Sequence, residues 1–266
     1  MDSSRKPQNR IFSIDSPKAV KALAYGYLNA IHYMAPSDLS GVNLCPKATP
    51  ICKWLCLGWN SGQASMVKDL EHDTNSVRQS RIDKAKRFMA DRQAYMRDVA
   101  LSIAAAWRKA GLMGLKLCVR MNGSTDIAWE GIGIEVGAVL AAQLARILLR
   151  TVTPGRYRNL MGLFSDIQFI DYTKVASRLQ RALPVNYHLT LSRTEDNDAE
   201  VCAAIRRGQN VAVVFEQMPD AWHGMPVIDG TKHDLRHLDP RGVIVGLTPL
   251  GSRAKRDASG FVVRAA

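Results

Sequence analysis

Three of the chain's five cysteines fall within twelve residues, in Cys45-Pro-Lys-Ala-Thr-Pro-Ile-Cys52-Lys-Trp-Leu-Cys56. Thiolates are soft ligands suited to iron–sulfur clusters or zinc, and thiols this close in sequence meet at one site without a long chain closure. Pro46 and Pro50 stiffen the segment, and Cys52 and Cys56, four residues apart, share a face if it turns helical. Three thiolates on a 4Fe–4S cubane leave one iron without cysteine, an open position for water, substrate or a non-cysteine ligand. Zinc is the alternative and needs a fourth ligand. His32 is the nearest candidate, although a lone histidine on a strand more often serves as a hydrogen-bonded structural residue. A plain group of buried thiols is the third reading. Cys118 and Cys202 stand singly in apolar segments, where a free cysteine behaves as a small hydrophobe.

Other polar groups recur where apolar runs end. Arg120-Met-Asn122-Gly-Ser124-Thr-Asp126 combines a planar guanidinium suited to carboxylate or phosphate with Asn122, Ser124 and Asp126, which donate, accept or hold the arginine. An Asx or serine turn is the structural alternative. Asp171-Tyr172-Thr173-Lys174 presents a phenol and an ammonium, with Thr173 as a helix cap in the blander reading. Ser192-Arg193-Thr194-Glu195 adds hydrogen-bonding groups or a helix start. Glu216 follows an apolar run directly, where partial burial would raise its pKa. Asp229 to Pro240 is rich in carboxylates and imidazoles but matches no closed metal motif, so it reads as a salt-bridged loop. No Walker A loop occurs, and Gly131-Ile-Gly133 lacks the rest of a dinucleotide fingerprint.

Six short apolar or β-branched runs read as the strands that carry these groups: Tyr27 to Met34, Leu115 to Met121, Ile167 to Tyr172, Tyr187 to Leu191, Val211 to Phe215 and Val243 to Leu247. Helical periodicity fills the gaps: about Ser76 to Lys109, Glu135 to Arg150, Lys174 to Ala182 and Glu195 to Arg207. Strands apolar on both alternating faces, separated by helices, imply a parallel α/β sheet. Six of them suggest a single domain over 11–266 built as a partial parallel (βα)6, TIM-like barrel, with functional groups at the strand C-termini. Residues 1–10 read as a flexible basic arm.

No signal peptide and no apolar run of membrane-spanning length is evident, and an odd, clustered cysteine count suits a reducing compartment. The expected location is therefore cytoplasm. A formal charge of +12 favours acidic partners. The basic series Arg78, Arg81, Lys84, Arg87 and Arg97 would suit nucleic-acid phosphates, or simply a solvated helix face.

The cysteine loop, the Arg120 to Asp126 segment and Asp171-Tyr-Thr-Lys174, in that order, resemble the phage gene-product-88-like family over roughly Tyr27 to Arg193, more weakly through Asp229 to Gly251. That resemblance implies a viral origin, hence a host cytoplasm. A more distant similarity is to radical S-adenosylmethionine enzymes, whose partial (βα)6 barrels carry three cluster cysteines after the first strand. It implies S-adenosylmethionine as a co-substrate. Those enzymes separate their cysteines by three and then two residues, whereas here six and then three intervene, and Asn122-Gly-Ser-Thr-Asp126 is the only counterpart of their glycine-rich segment. The expectation is a phage-encoded iron–sulfur protein, radical-type or redox, with Cys45, Cys52 and Cys56 on the metal. Arg120, Asn122, Ser124, Asp126, Tyr172, Lys174, Ser192 and Arg193 would face a small polar or anionic substrate. The competing expectation is a non-catalytic nucleic-acid-binding protein braced by zinc or a cluster.

Overall fold

The computed structural model describes residues 11–264, so the expected N-terminal arm lies outside the described residues. In chain order the strands are β1 Phe12–Ser13, β2 Tyr27–His32, β3 Lys116–Arg120, β4 Ile134–Val136, β5 Gly155–Tyr157, β6 Gln168–Thr173, β7 Tyr187–Ser192, β8 Val211–Phe215, β9 Ala221–Trp222, β10 Met225–Asp229, β11 Ile244–Leu247 and β12 Val262–Val263. The main sheet runs β1-β2-β3-β6-β7-β8-β11-β10-β9, with β12 joined to β8. From β2 to β10 every pairing is parallel, and only the edge strands β1 and β9 turn antiparallel. All six expected strands are present.

The result is a mixed α/β domain with a large, mainly parallel sheet, and among the described residues no pairing joins its two ends. The unforeseen strand β10 slots beside β11 and carries the β9 hairpin, which terminates the row. The sheet's two faces differ, because successive side chains alternate. Leu28, Ala30, Leu117, Val119, Met121, Phe169 and Leu189 project to one side and form the principal core with Val99, Ile103, Leu140 and Leu144. That cover comes from the helices α4 Ser76–Ala90, α5 Arg92–Leu112 and α6 Ala138–Leu148. Where the periodicity predicts one helix over 76–109 there are two. Asp91 leaves helical geometry (φ −144°, ψ 90°), and its carboxylate accepts from the Ala94 N–H at 2.9 Å, capping α5.

On the opposite face Asn29 pairs in register with Cys118, and the small cluster Cys118, Ile170, Ala22 and Leu235 fills the space. Ala22 belongs to the short turn after the helix α1 Pro17–Lys21, and Leu235 to the loop between β10 and β11. This side of the sheet is thus covered by segments far apart in sequence. They bring Lys18, Asp234 and Arg236 against it, where no strand pattern could have announced them.

Candidate cofactor cavity

A partly enclosed cavity of about 620 Å³ lies at the C-terminal ends of β2, β3, β6, β7, β8 and β11, and Cys45, Cys52 and Cys56 all line it. Local capping chemistry delivers them. Thr49 caps the helix α2 Pro50–Trp54, its hydroxyl accepting the Cys52 N–H at 2.9 Å, and Pro50 starts the helix without needing a donor. The helix breaks at Leu55, and Cys56 becomes the residue before α3 Leu57–Asn60, its carbonyl accepting the Asn60 N–H at 2.7 Å. Cys52 and Cys56 therefore belong to two short helices rather than one face of a single helix. Cys45 is held differently: its sulfur accepts the Ser37 N–H at 3.2 Å, and the thiol donates to the Ser124 carbonyl at 3.8 Å.

Burial pushes the Cys45 thiol up to about 11 and the Cys56 thiol up to about 12. Neighbouring sulfur adds to both: Cys45 feels Cys52, and Cys56 feels Cys52 and Cys45. Backbone N–H groups of Ser37 and Gly58 oppose the rise. Among the described residues, no three His, Cys, Asp or Glu side chains converge closely enough to hold a single metal ion. A tetrahedral zinc with Zn–S of about 2.3 Å draws its sulfurs to within roughly 4 Å of one another. A cubane places each cysteine on a different iron and so takes a wider triangle. The donor set is three thiols bordering one cavity, with backbone N–H groups on two of the sulfurs.

Beside the thiols lies Lys174, just past β6. Its backbone N–H donates to Asp126 at 2.8 Å, while its ammonium makes no hydrogen bond or ion pair among the described residues. Burial works against the charge, but Cys52, Asp126, Cys45 and Cys56 together raise the pKa. Asp126 is fixed in turn by Arg178 at 2.7 Å, a guanidinium that also binds Glu130 at 2.8 Å and the Tyr187 hydroxyl at 3.1 Å. Asp126 holds an arginine, as its chemistry suggests, but that arginine is Arg178 and not Arg120.

Arg120 meets Asp234 at 2.5 Å, lies over the Tyr172 ring with its guanidinium carbon 4.8 Å from the centroid, and Tyr172 donates to the same carboxylate at 3.1 Å. Burial opposes ionisation of Asp234, but Arg120, Lys18 and Arg236 hold its carboxyl well below the usual range. Ser124 and Ser192 also line the cavity. Asn122 does too, although its amide is spent internally: the oxygen accepts from Thr125, the Ile127 N–H and the Trp129 ring, and the nitrogen donates to Ile127. That is the Asx-turn alternative realised. Two glycines permit the close packing. A Cβ on Gly58 would collide with the Ser124 side chain, and one on Gly123 would come within 2.6 Å of the His32 carbonyl.

The sequence matches the family described as gene product 88 over residues 6–265. The chain belongs to the gene product 88 family. This is a family of phage gene products, in accord with the resemblance carried by the cysteine loop and the two strand ends. No curated protein and no solved structure matches the chain significantly. Among the described residues no helix is long and apolar enough to cross a membrane.

In this gene product 88 member several expected residues serve elsewhere. Arg193 is not among the cavity-lining groups: it binds Asp198 at 2.8 Å and the Gly260 carbonyl at 2.5 Å, tying β7 to the segment before β12. Register explains it, since Ser192 and Arg193 project to opposite sides of the sheet. His32 lies in the core, its ring nitrogens 2.7 Å from the Tyr95 hydroxyl and 3.1 Å from the Met121 carbonyl, and burial lowers its pKa to about 3. That is a structural histidine and not a zinc ligand. Glu216 is exposed and paired with Arg264, so the expected burial does not occur. The loop over 229–240 is salt-bridged as expected, through Arg236 and Asp239.

The basic series on α4 is largely taken inward. Arg78 is fully buried and bonds the carbonyls of Ala64, Asp73 and Trp59 at 2.6–3.0 Å, Arg81 binds the Gly58 carbonyl over the Tyr33 ring, and Lys84 is buried. Arg87 pairs with Asp98. Arg78 and Arg81 thus brace the segment over 58–73 that follows the thiol loop, while Arg87 and Arg97, the latter on α5, remain exposed. Lys18 was missed as a cavity group, and Asp234 and Arg178 were missed as the partners that hold the lining residues Arg120 and Asp126. Asp234 stands in the 229–240 stretch that read only as a salt-bridged loop, and no local pattern ties any of the three to its partner in the fold.

Proposed function

We infer that this gene product 88 protein holds an iron–sulfur cluster through Cys45, Cys52 and Cys56 and acts on a small anionic or polar substrate in the same cavity. The observation that carries the reading is the gathering of all three clustered thiols around one cavity, beside the Lys174 side chain whose charge they and Asp126 favour. A cluster bound there would supply one-electron chemistry and an iron left open by the cysteine count. The chain's own groups do the rest. Ser37 and Gly58 N–H groups stabilise thiolate at Cys45 and Cys56, lowering a cost of ionisation that burial makes high. Lys174 offsets the negative charge of thiolates or of a substrate anion. Arg120, Asp234 and Tyr172 form a rigid polar wall that orients ligand and limits water.

S-adenosylmethionine use is the narrower version of the same reading, supported by the cysteine loop following the first parallel strand and by the serial strand order β2-β3-β6-β7-β8. The nucleic-acid reading has less behind it, because Arg78, Arg81 and Lys84 are committed to the interior.

Anaerobic purification with iron, sulfide and zinc analysis and an absorption spectrum is the test. Matched iron and sulfide in the wild type, reduced in each of Cys45→Ser, Cys52→Ser and Cys56→Ser but retained in Cys118→Ser, is the expected result. Iron-free protein after anaerobic reconstitution, or content indifferent to the three substitutions, overturns the proposal. Formation of 5′-deoxyadenosine from S-adenosylmethionine by reduced protein, above an unreduced control, tests the narrower version.

A further inference from the structure

The cavity has an apolar side that the thiols and the polar wall do not use. It starts on the sheet. Val214 of β8 and Leu247 of β11 stand side by side in register. Their chain neighbours Val213, Phe215 and Ile244 belong to the core on the other face, so by strand alternation Val214 and Leu247 turn toward the cavity, which both line. Phe261, another lining residue, precedes Val262, the β12 partner of Val214. Three residues beyond Leu247, Leu250 leads into Gly251, which packs so closely on α3 that a Cβ there would come within 2.8 Å of the Asn60 carbonyl. That contact joins the apolar strip to α3, where Leu57 lines the cavity, and the Arg253 guanidinium, 5.3 Å from the Trp54 ring centroid, ties it to α2. Trp54, Leu57 and Leu250 are nevertheless 41%, 40% and 44% exposed. Large apolar side chains left uncovered along one cavity mark a surface that a ligand covers, and about 620 Å³ is room for a body larger than a simple anion.

The inner end of the strip meets a cation. The Lys174 nitrogen lies 6.0 Å from the Phe261 ring centroid, and its ammonium makes no hydrogen bond or ion pair among the described residues. Asp126 does not neutralise it, because one carboxylate oxygen binds Arg178 at 2.7 Å and the other accepts the Lys174 backbone N–H at 2.8 Å. Arg120, Lys53 and Arg253 each have a carboxylate already. We propose that the cavity takes an amphiphilic acid, its single anionic group held by Lys174 beside Phe261 and its aromatic or branched apolar body laid along Val214 and Leu247 toward Leu250 and Trp54. This ligand class rests on the cavity being a substrate site, the half of the proposed function that does not involve iron.

The test is a calorimetric titration of the full chain, reduced and without added iron, with naphthalene-2-carboxylate, naphthalene-2-methanol and acetate as probes. The naphthoate is expected to bind once per chain and at least about a hundredfold more tightly than acetate, because its rings leave water for the apolar strip. Leu247→Ala should weaken the naphthoate by about fivefold or more. Lys174→Met should weaken it by about tenfold and leave naphthalene-2-methanol bound no less tightly. Naphthoate binding no tighter than acetate overturns the apolar body, and equal wild-type affinity for the naphthoate and the alcohol overturns the anionic anchor. Both comparisons use wild type and stand whether or not a variant folds. Affinity indifferent to Leu247→Ala, or equal weakening of acid and alcohol in Lys174→Met, overturns the placement. Iron and sulfide are measured separately, so a cluster-loaded protein that ignores the naphthoate refutes only the ligand class, and a cluster-free protein that binds it refutes only the cluster.

Discussion

Replacing Asp234 by Asn tests how the cavity wall is held. The carboxylate is buried, meets Arg120 at 2.5 Å and accepts from Tyr172 at 3.1 Å, with Lys18 and Arg236 also facing it. Asparagine keeps the shape and one acceptor but removes the carboxylate that Arg120 pairs with and that Lys18 and Arg236 face. Breaking one side of a buried pair costs about 3–5 kcal/mol, because the partner is left charged and unsolvated. Set against a typical total of roughly 5–15 kcal/mol, that is a large fraction, and for a chain of this size it lowers Tm by roughly 10 °C. Urea denaturation at pH 7 is the measurement. The pH dependence has a definite sign. The folded pKa of Asp234 lies below its unfolded value, so its contribution is fully present above about pH 4 and is lost as pH falls through the folded pKa. The gap between wild type and Asp234→Asn should therefore narrow in acid. Adding Arg120→Met to Asp234→Asn should cost less than the sum of the two single changes, by about 1–3 kcal/mol. A loss below about 1 kcal/mol for Asp234→Asn, or strict additivity in the double variant, would refute the reasoning.

Gly58→Ala should cost about 1–3 kcal/mol by overpacking against Ser124, and Ser124→Gly in the same chain should recover part of it; equal loss with either residue at 124 would show that the contact is unimportant. Burial raises the Asp171 carboxyl to about 7 even though the Asn122 N–H and the Tyr187 hydroxyl favour its ionised form. Its folded pKa therefore exceeds the unfolded value, and stability should fall as pH rises from about 4 to 7; Asp171→Asn should flatten that slope, read by urea midpoints across the range. Arg78→Met strips the carbonyls of Ala64, Asp73 and Trp59 of their donor, and at about 1–3 kcal/mol for each buried acceptor left unpaired it should expose residues 57–75 to proteolysis before the rest of the chain. A digestion pattern identical to wild type would contradict that role.

The periodicity of apolar residues located all six expected strands, because strands buried on both faces leave continuous runs such as Val211 to Phe215 that little else produces. Cysteine spacing picked out the loop, and polar residues at strand ends picked out Arg120, Ser124, Asp126, Tyr172, Lys174 and Ser192 as groups on one cavity. Those are local signals: a strand's exit point fixes where the next few residues lie. Arg193 escaped the same logic through strand parity, a one-residue matter that soft boundaries do not resolve. Arg78 was misread because a guanidinium buried against backbone carbonyls has the same spacing as one in water.

Sequence by itself determined the parallel α/β character, the clustered thiols and the family. Tertiary structure alone decided that β10 and its hairpin join the row beside β11, and that Lys18, Asp234 and Arg236 converge on Arg120 and Tyr172. The reason is range. Arg120 and Asp234 are 114 residues apart, and pairing at that separation depends on which loop crosses the sheet, an outcome set by the packing of Ala22 and Leu235 on Cys118 and Ile170 rather than by any pattern within either segment.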